Sequence, residues 1–159
     1  LRSGLGAEAV ITDDAEREFH SADLYAAGVT CALVVRPADR PGVTRAVSSA
    51  AVAGFAVIAR GGGLTYTGGY TPLREDTVVL DLRGLDRIVE IAPDDMYVTV
   101  EAGCAWQALL AALEPHGVRT PFWGPLSGAT ATVGGSVCIT YFARPSRIAK
   151  IRMATAIRT

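Results

Sequence analysis

The spacing of apolar residues changes along the chain, and each change predicts an element. Residues 1–30 are polar and alanine-rich, and Glu16 to Tyr25 carries only a weak short-helix pattern. Ala32-Leu33-Val34-Val35 is a short apolar run stopped by Arg36-Pro37, the mark of a buried strand ended by proline. From Arg40 to Ala53 the period becomes helical: Asp39 can cap, Pro41 falls in the first turn, and Gly54 suits the stop. Val43, Val47 and Ala50 or Ala51 form the predicted inward stripe. Phe55 to Ala59 then reads as a second buried strand. Strand, helix, strand in so short a span is a βαβ unit, which predicts parallel strands and a right-handed crossover. A third strand, Thr77 to Leu82, follows a glycine-rich loop.

Beyond about residue 85 the pattern alternates. Arg87 to Ile91 and Tyr97 to Glu101 interleave apolar and polar residues around Ala92-Pro93-Asp94-Asp95-Met96, which predicts an antiparallel hairpin with one solvated face. Trp106, Leu109, Leu110 and Leu113 fall at amphipathic-helix spacing, ended by Pro115 and Gly117. Thr120 to Gly135 is rich in Gly, Pro, Ser and Thr and reads as a long functional loop. Residues 137–159 have no clear period. The expected organisation is a first lobe over about 30–85, a second over 86–137, and a tail, 138–159, left unplaced.

Composition narrows the function classes. The chain has 159 residues, half of them hydrophobic, and a formal net charge of -1. That suffices for one domain built of two small lobes. No basic tract interleaves with aromatics, so a nucleic-acid partner is not expected. No apolar run reaches the ~20 residues of a membrane span, and no secretory signal is seen at residue 1. Cys31, Cys104 and Cys138 make an odd, irregular set with neither a disulfide framework nor metal spacing, so buried thiols in a reducing cytoplasm are expected. His20 and His116 read as solvated residues, Asp13, Asp14, Asp94 and Asp95 as turn acids, Trp106 as core, and Trp123 as core or pocket wall.

Two loops carry the candidate chemistry. Arg60-Gly61-Gly62-Gly63-Leu64-Thr65 with Gly68-Gly69 follows a strand directly, and consecutive amides in such a turn form an anion-binding nest suited to a diphosphate. Arg60 either adds charge or anchors the loop. A P-loop is disfavoured, because Gly69 and Tyr70 stand where Lys and Ser/Thr belong. The dinucleotide fingerprint fails too, with Tyr66 at its third glycine. The second loop, Gly124-Pro125 through Thr132-Val133-Gly134-Gly135-Ser136, offers small side chains, hydroxyls and backbone amides able to line a flat ring system.

The order of these pieces resembles the FAD-binding domain of the vanillyl-alcohol oxidase and p-cresol methylhydroxylase family, including glycolate and D-lactate dehydrogenase-like members. The resemblance runs from the Val-Val-Arg-Pro strand end through Arg-Gly-Gly-Gly, Val-Leu-Asp-Leu, Thr-Val-Glu-Ala-Gly and the Trp-x-x-Leu helix to Ala-Thr-Val-Gly-Gly, about residues 30–137. It implies an α+β fold of two α/β lobes holding FAD, here incomplete at its C-terminal end. Arg60, Gly61, Gly62, Gly63, Leu64, Thr65 and Gly68 would then hold the diphosphate. Pro125, Thr132, Val133, Gly134, Gly135 and Ser136 would lie near ribityl and flavin. Members with histidyl-linked flavin carry His where this chain has Leu64, and doubly linked members carry Cys where it has Ala129 and Thr130, so non-covalent FAD is expected. The implied activity is oxidation of an alcohol or 2-hydroxy acid by hydride transfer to flavin N5. The small-molecule substrate would bind through a domain outside this sequence, the catalytic acid-base residues remain unassigned, and an exposed lobe face would favour self-association. The competing readings are a non-catalytic remnant of the fold and a flavin reductase of the UDP-N-acetylenolpyruvoylglucosamine type.

Overall fold

The computed structural model describes residues 9–120, 128–139 and 150–153. The chain divides into two compact units, Leu1–Gly84 and Leu85–Thr159.

In the first unit, β1 (Val10–Ile11), β2 (Leu33–Val35), β3 (Ala56–Arg60) and β4 (Thr77–Asp81) form one sheet in the order β1-β2-β4-β3. β2 and β3 both run parallel to β4, and β1 is antiparallel to β2. β4 is wholly buried because it has a neighbour on each side, as its Val-Val-Leu run permits. β3, expected to be buried, is instead an edge strand with mostly half-buried residues, because β4 inserts between the two strands of the βαβ unit. Alternation puts Val34 and Val79 on one face, packed with Cys31 and Ile11.

Two helices serve this sheet. α1 (Asp14–His20) packs against β2, and its cap is Asp13, whose carboxylate accepts from the Glu16 amide at 3.1 Å. It is shorter than the sequence pattern suggested. α2 (Arg40–Val52) packs against β3 and β4 and begins at Asp39, whose carboxylate accepts from the Gly42 amide. Its buried line is Gly42, Val43, Ala46 and Ala50, whereas Val47 is half-buried and Ala51 exposed. Small residues let the helix approach the sheet closely, so Ala46 takes the central place assigned to the larger Val47.

In the second unit, β5 (Ile88–Ala92) pairs antiparallel with β6 (Tyr97–Val100), with a bulge between Ile88 and Glu90. The bulge breaks the expected alternation and leaves Val89 exposed. β7 (Lys150–Met153) adds parallel to β6, giving a place to part of the tail that the sequence left unassigned. α3 (Trp106–Leu113) buries Trp106, Leu109 and Leu113 against Val98, Val100, Cys104 and Val133, and a short 3-10 turn, Glu114–His116, ends it.

The run Thr132 to Ser136, expected as loop, instead opens α4 (Val133–Ile139). Glycines do not prevent a helix here because two constraints fix its start. Thr132 Oγ1 accepts from the Gly135 amide at 3.3 Å, and the Gly134 amide donates to the Ala102 carbonyl at 2.9 Å. A Cβ on Gly134 would stand 2.6 Å from that carbonyl oxygen, so only glycine allows the approach. Gly134→Ala is therefore expected to lower stability by about 1–3 kcal/mol, although alanine is the better helix former. Urea denaturation checks this, and a variant as stable as the parent would mean that α4 does not pack so closely on Ala102.

Candidate nucleotide-binding site

The glycine loop begins where β3 ends. Parallel pairing sets Arg60 opposite Asp81, side by side on one sheet face. The two do not pair, because Asp81 is already committed. Its Oδ1 accepts from the Arg83 amide at 3.1 Å and from Arg83 Nε at 2.9 Å. Its Oδ2 accepts from Arg36 Nε at 2.9 Å and Arg83 Nη2 at 2.8 Å, with His20 Nε2 at 3.3 Å. Burial pushes the Asp81 pKa up, but the hydrogen bonds from Arg83, His20 and Arg36 outweigh it and hold the carboxyl far below the usual range.

His20 was expected in solvent and is instead fully buried. Its Nδ1 lies 2.8 Å from the Glu16 carbonyl oxygen, so Nδ1 carries a proton and donates. Nε2 sits 3.1 Å from Arg83 Nη2 as well as near Asp81. Its position in a weakly patterned segment hid this role, since the partner is 61 residues away.

Arg60 is left without an ion-pair partner among the described residues. It is 3% exposed, and Nε and Nη1 have no hydrogen-bond partner. Among the described residues, Nη2 donates to the Phe19 carbonyl alone, at 3.5 Å. The guanidinium carbon lies 4.9 Å from the Phe19 ring centroid and 5.5 Å from that of Tyr70. Burial is the main influence on Arg60 and pushes its pKa below the ordinary value; Tyr70 and Asp81 oppose that and Arg83 adds to it. Arginine starts from so high a pKa that it stays charged near neutrality. The Tyr70 phenol is close enough to Arg60 and Thr65 to feel both, without a hydrogen bond of good geometry to either. Burial raises the Tyr70 pKa and Arg60 opposes the rise.

The loop folds back over this cation. Gly63 adopts φ +78°, and a Cβ there would lie 2.8 Å from the Arg60 guanidinium carbon, so this turn needs glycine on both counts. Among the described residues, the amides of Gly61, Gly62, Gly63 and Leu64 make no intrachain hydrogen bond. Thr65 is buried, and its hydroxyl bonds that of Thr67 at 2.9 Å. Gly68 donates its amide to Asp23 Oδ2 at 2.8 Å. Asp23 also accepts from the Tyr25 and Ala26 amides; burial pushes its pKa up, and the three amides bring it below the usual value. The result is a set of unused donors beside an unpaired buried cation, which is the chemistry of an anion site.

The second loop behaves differently. The amides of Val133, Gly134, Gly135 and Ser136 are all satisfied internally, by Cys104, Ala102 and Thr132. The carbonyls of Gly128 and Ala131 cap α3 by accepting from the Gln107 and Trp106 amides. Trp106 Nε1 donates to Ser136 Oγ at 2.8 Å. These amides, read as bare from the sequence, thus hold the second unit together, with Thr132, Val133 and Gly134 buried and Gly135 and Ser136 half-buried. Pro125, Trp123 and the stretch around them lie outside the described residues, as does the Cys138 side chain.

Comparison with known proteins fits these features. The family described as FAD binding domain matches residues 31–147. Decaprenylphosphoryl-beta-D-ribose oxidase of Mycolicibacterium smegmatis is 36% identical over 111 residues, covering 68% of this chain and 23% of the relative. Among solved structures, an alkyldihydroxyacetonephosphate synthase superposes with TM-score 0.73 at 22% identity over 82% of this chain and 26% of its own. 4-Ethylphenol oxidase from Gulosibacter chungangensis gives TM-score 0.66 at 26% identity over 73% of this chain and 23% of its own. p-Cresol methylhydroxylase gives 0.64 at 18%, over 73% of this chain and 23% of its own. The mixed α/β architecture is therefore that of p-cresol methylhydroxylase-type FAD-binding domains. The chain spans about a quarter of the length of these proteins. Among the described residues, no helix is long and apolar enough to cross a membrane.

Two outcomes follow from the buried groups. Asp81 has a depressed pKa in the folded chain, so its stabilisation is complete above the unfolded value of about 4 and is lost as pH falls below it. Asp81→Asn is expected to cost about 2–3 kcal/mol at pH 7, less than a fully buried pair because Arg36 and Arg83 are partly solvated. Urea titrations should show that gap shrinking below about pH 4; a gap independent of pH would sink the assignment. Burial, helped by Asp86, pushes the Cys104 thiol up to about 11, and Cys31 is also buried. Peptide mapping after iodoacetamide at pH 8 should find both unlabelled in the folded chain and labelled in urea.

Proposed function

Because the chain belongs to the family of FAD binding domains, we propose that it is the cofactor-holding part of a flavin-dependent oxidoreductase, with FAD bound non-covalently. The observation that carries this reading is Arg60, a buried guanidinium with two unpaired nitrogens beside a run of unused amides. Arg60, Gly61, Gly62, Gly63, Leu64, Thr65 and Gly68 hold the diphosphate in this reading. The amides donate to its oxygens, and Arg60 supplies the charge that Asp81 does not cancel. Pro125 and the run Thr132, Val133, Gly134, Gly135 and Ser136 take the ribityl and flavin side, where small side chains admit a flat ring. Leu64 offers only hydrocarbon and cannot form a bond to flavin.

Bound FAD supplies an acceptor for two electrons, and the protein's part is to hold and orient it. The substrate class we infer is an alcohol or 2-hydroxy acid. The mycolicibacterial relative, an oxidase whose name specifies a ribose unit, favours the alcohol. The substrate and its acid-base residues belong to the remainder of such an enzyme, and the buried free thiols Cys31 and Cys104 suit a reducing cytoplasm.

The test is FAD titration of the purified chain, followed by desalting and acid precipitation. Retained flavin that moves to the supernatant on precipitation is the expected result. Arg60→Met is expected to weaken binding about tenfold or more, the size of one charge-assisted hydrogen bond. Gly63→Ala should abolish retention. A folded chain that retains no FAD, or an Arg60→Met variant with parental affinity, overturns the proposal.

A further inference from the structure

The residues that hold Arg60 from outside the loop precede the region matched by the family, which starts at residue 31. α1 presents Phe19 and His20 in succession. His20 is pinned in the interior by Glu16 and Asp81, and the Phe19 ring stands edge-on to it at 5.2 Å and 83°. That pinning fixes where Phe19 sits, although the residue is 58% exposed. Four residues on, Asp23 fastens Gly68, and the Leu24 amide reaches the Thr65 carbonyl at 3.4 Å. The N-terminal segment therefore touches the glycine loop at its start, middle and end.

The kind of partner at Arg60 matters. A carboxylate would cancel its charge and occupy its N–H groups. An aromatic face attracts a cation through its quadrupole and accepts only weak N–H···π contacts, so the N–H groups stay available to a stronger acceptor. Asp81 stands in the paired register position yet is saturated by Arg36 and Arg83, and Arg36 also lies 3.8 Å from Glu16. Arg36 and Arg83 thus take the two carboxylates, and Arg60, in contact with two rings, is left without one.

We propose that Phe19, together with Tyr70, is a positioning residue that holds the Arg60 guanidinium by cation–π contact in the glycine loop, charged and with free donors, for the anionic group of the cofactor. This rests on the FAD reading above and adds to it a segment outside the matched family region. A cation–π contact of this exposure corresponds to a three- to ten-fold change in affinity, roughly.

The experiment uses the whole 159-residue chain with Phe19→Leu, which keeps an apolar side chain but loses the ring, and Phe19→Tyr, which keeps the ring. The first readout is the Arg60 Nε–Hε resonance in a 1H–15N correlation spectrum, identified by its loss in Arg60→Lys. Ring currents should shift it upfield in the parent and in Phe19→Tyr, and Phe19→Leu should move it downfield. The second readout is FAD affinity from flavin fluorescence, expected to fall about three- to ten-fold in Phe19→Leu and to be restored in Phe19→Tyr. An Arg60 resonance unmoved by Phe19→Leu overturns the proposal whether or not FAD binds. A moved resonance with unchanged affinity overturns the cofactor-positioning role. If the parent binds no FAD, the cofactor reading fails, and with it the ligand assigned to Arg60; the resonance then still decides whether Phe19 holds the cation.

Discussion

Asp81 accepts from two arginines and the Arg83 backbone, with a histidine also against it, and this allocation sets the electrostatics of the whole first unit. A buried carboxylate needs paired cations to stay ionised, and Arg36 and Arg83 provide them. Once they do, Asp81 accepts no hydrogen bond from Arg60, the neighbour in register, and acts on it only through space, while two aromatic faces lie against the guanidinium. Had Asp81 bonded Arg60, the glycine loop would close over a neutral pair instead of a cation.

The two glycine-rich segments reach different ends with similar composition. In the first, Gly63 takes a left-handed turn over Arg60 and the amides of Gly61 to Leu64 stay unused. In the second, glycine serves close packing: Gly134 sits against Ala102, and the amides of Val133 to Ser136 are consumed inside the unit. One loop leaves its donors free among the described residues, and the other spends its donors on packing within its unit.

Much of the fold was legible in residue order. β2, α2, β4, the hairpin and α3 follow from short-range rules: apolar runs, Asp39 with Pro41, alternation, and leucines at helical spacing. The tight turn of the glycine loop was legible because consecutive glycines after a strand leave few other uses, and Gly63 does take a positive φ there. The FAD-domain family was legible from the joint order of these pieces. Three features were misread for specific reasons. Val47 looked like the better core residue, but helix-to-sheet distance selects the smaller Ala46. The Thr132–Ser136 run looked like loop, but its helix depends on Ala102, some thirty residues earlier. His20 looked solvated because nothing near it in sequence shows that Asp81 will be its neighbour.

The sequence by itself determined β2, α2, β3, β4, the hairpin and α3, and that a glycine-rich, arginine-led turn would follow β3. Those outcomes depend on backbone conformation and on periodicities of a few residues. Tertiary structure alone decided which arginine is left without a carboxylate. That choice depends on strand order, with β4 inserted between β2 and β3, and on α1 bringing Phe19 and His20 to the sheet. Charge allocation is a competition among groups up to 63 residues apart, and its winner is fixed by distance and burial, which no local pattern records.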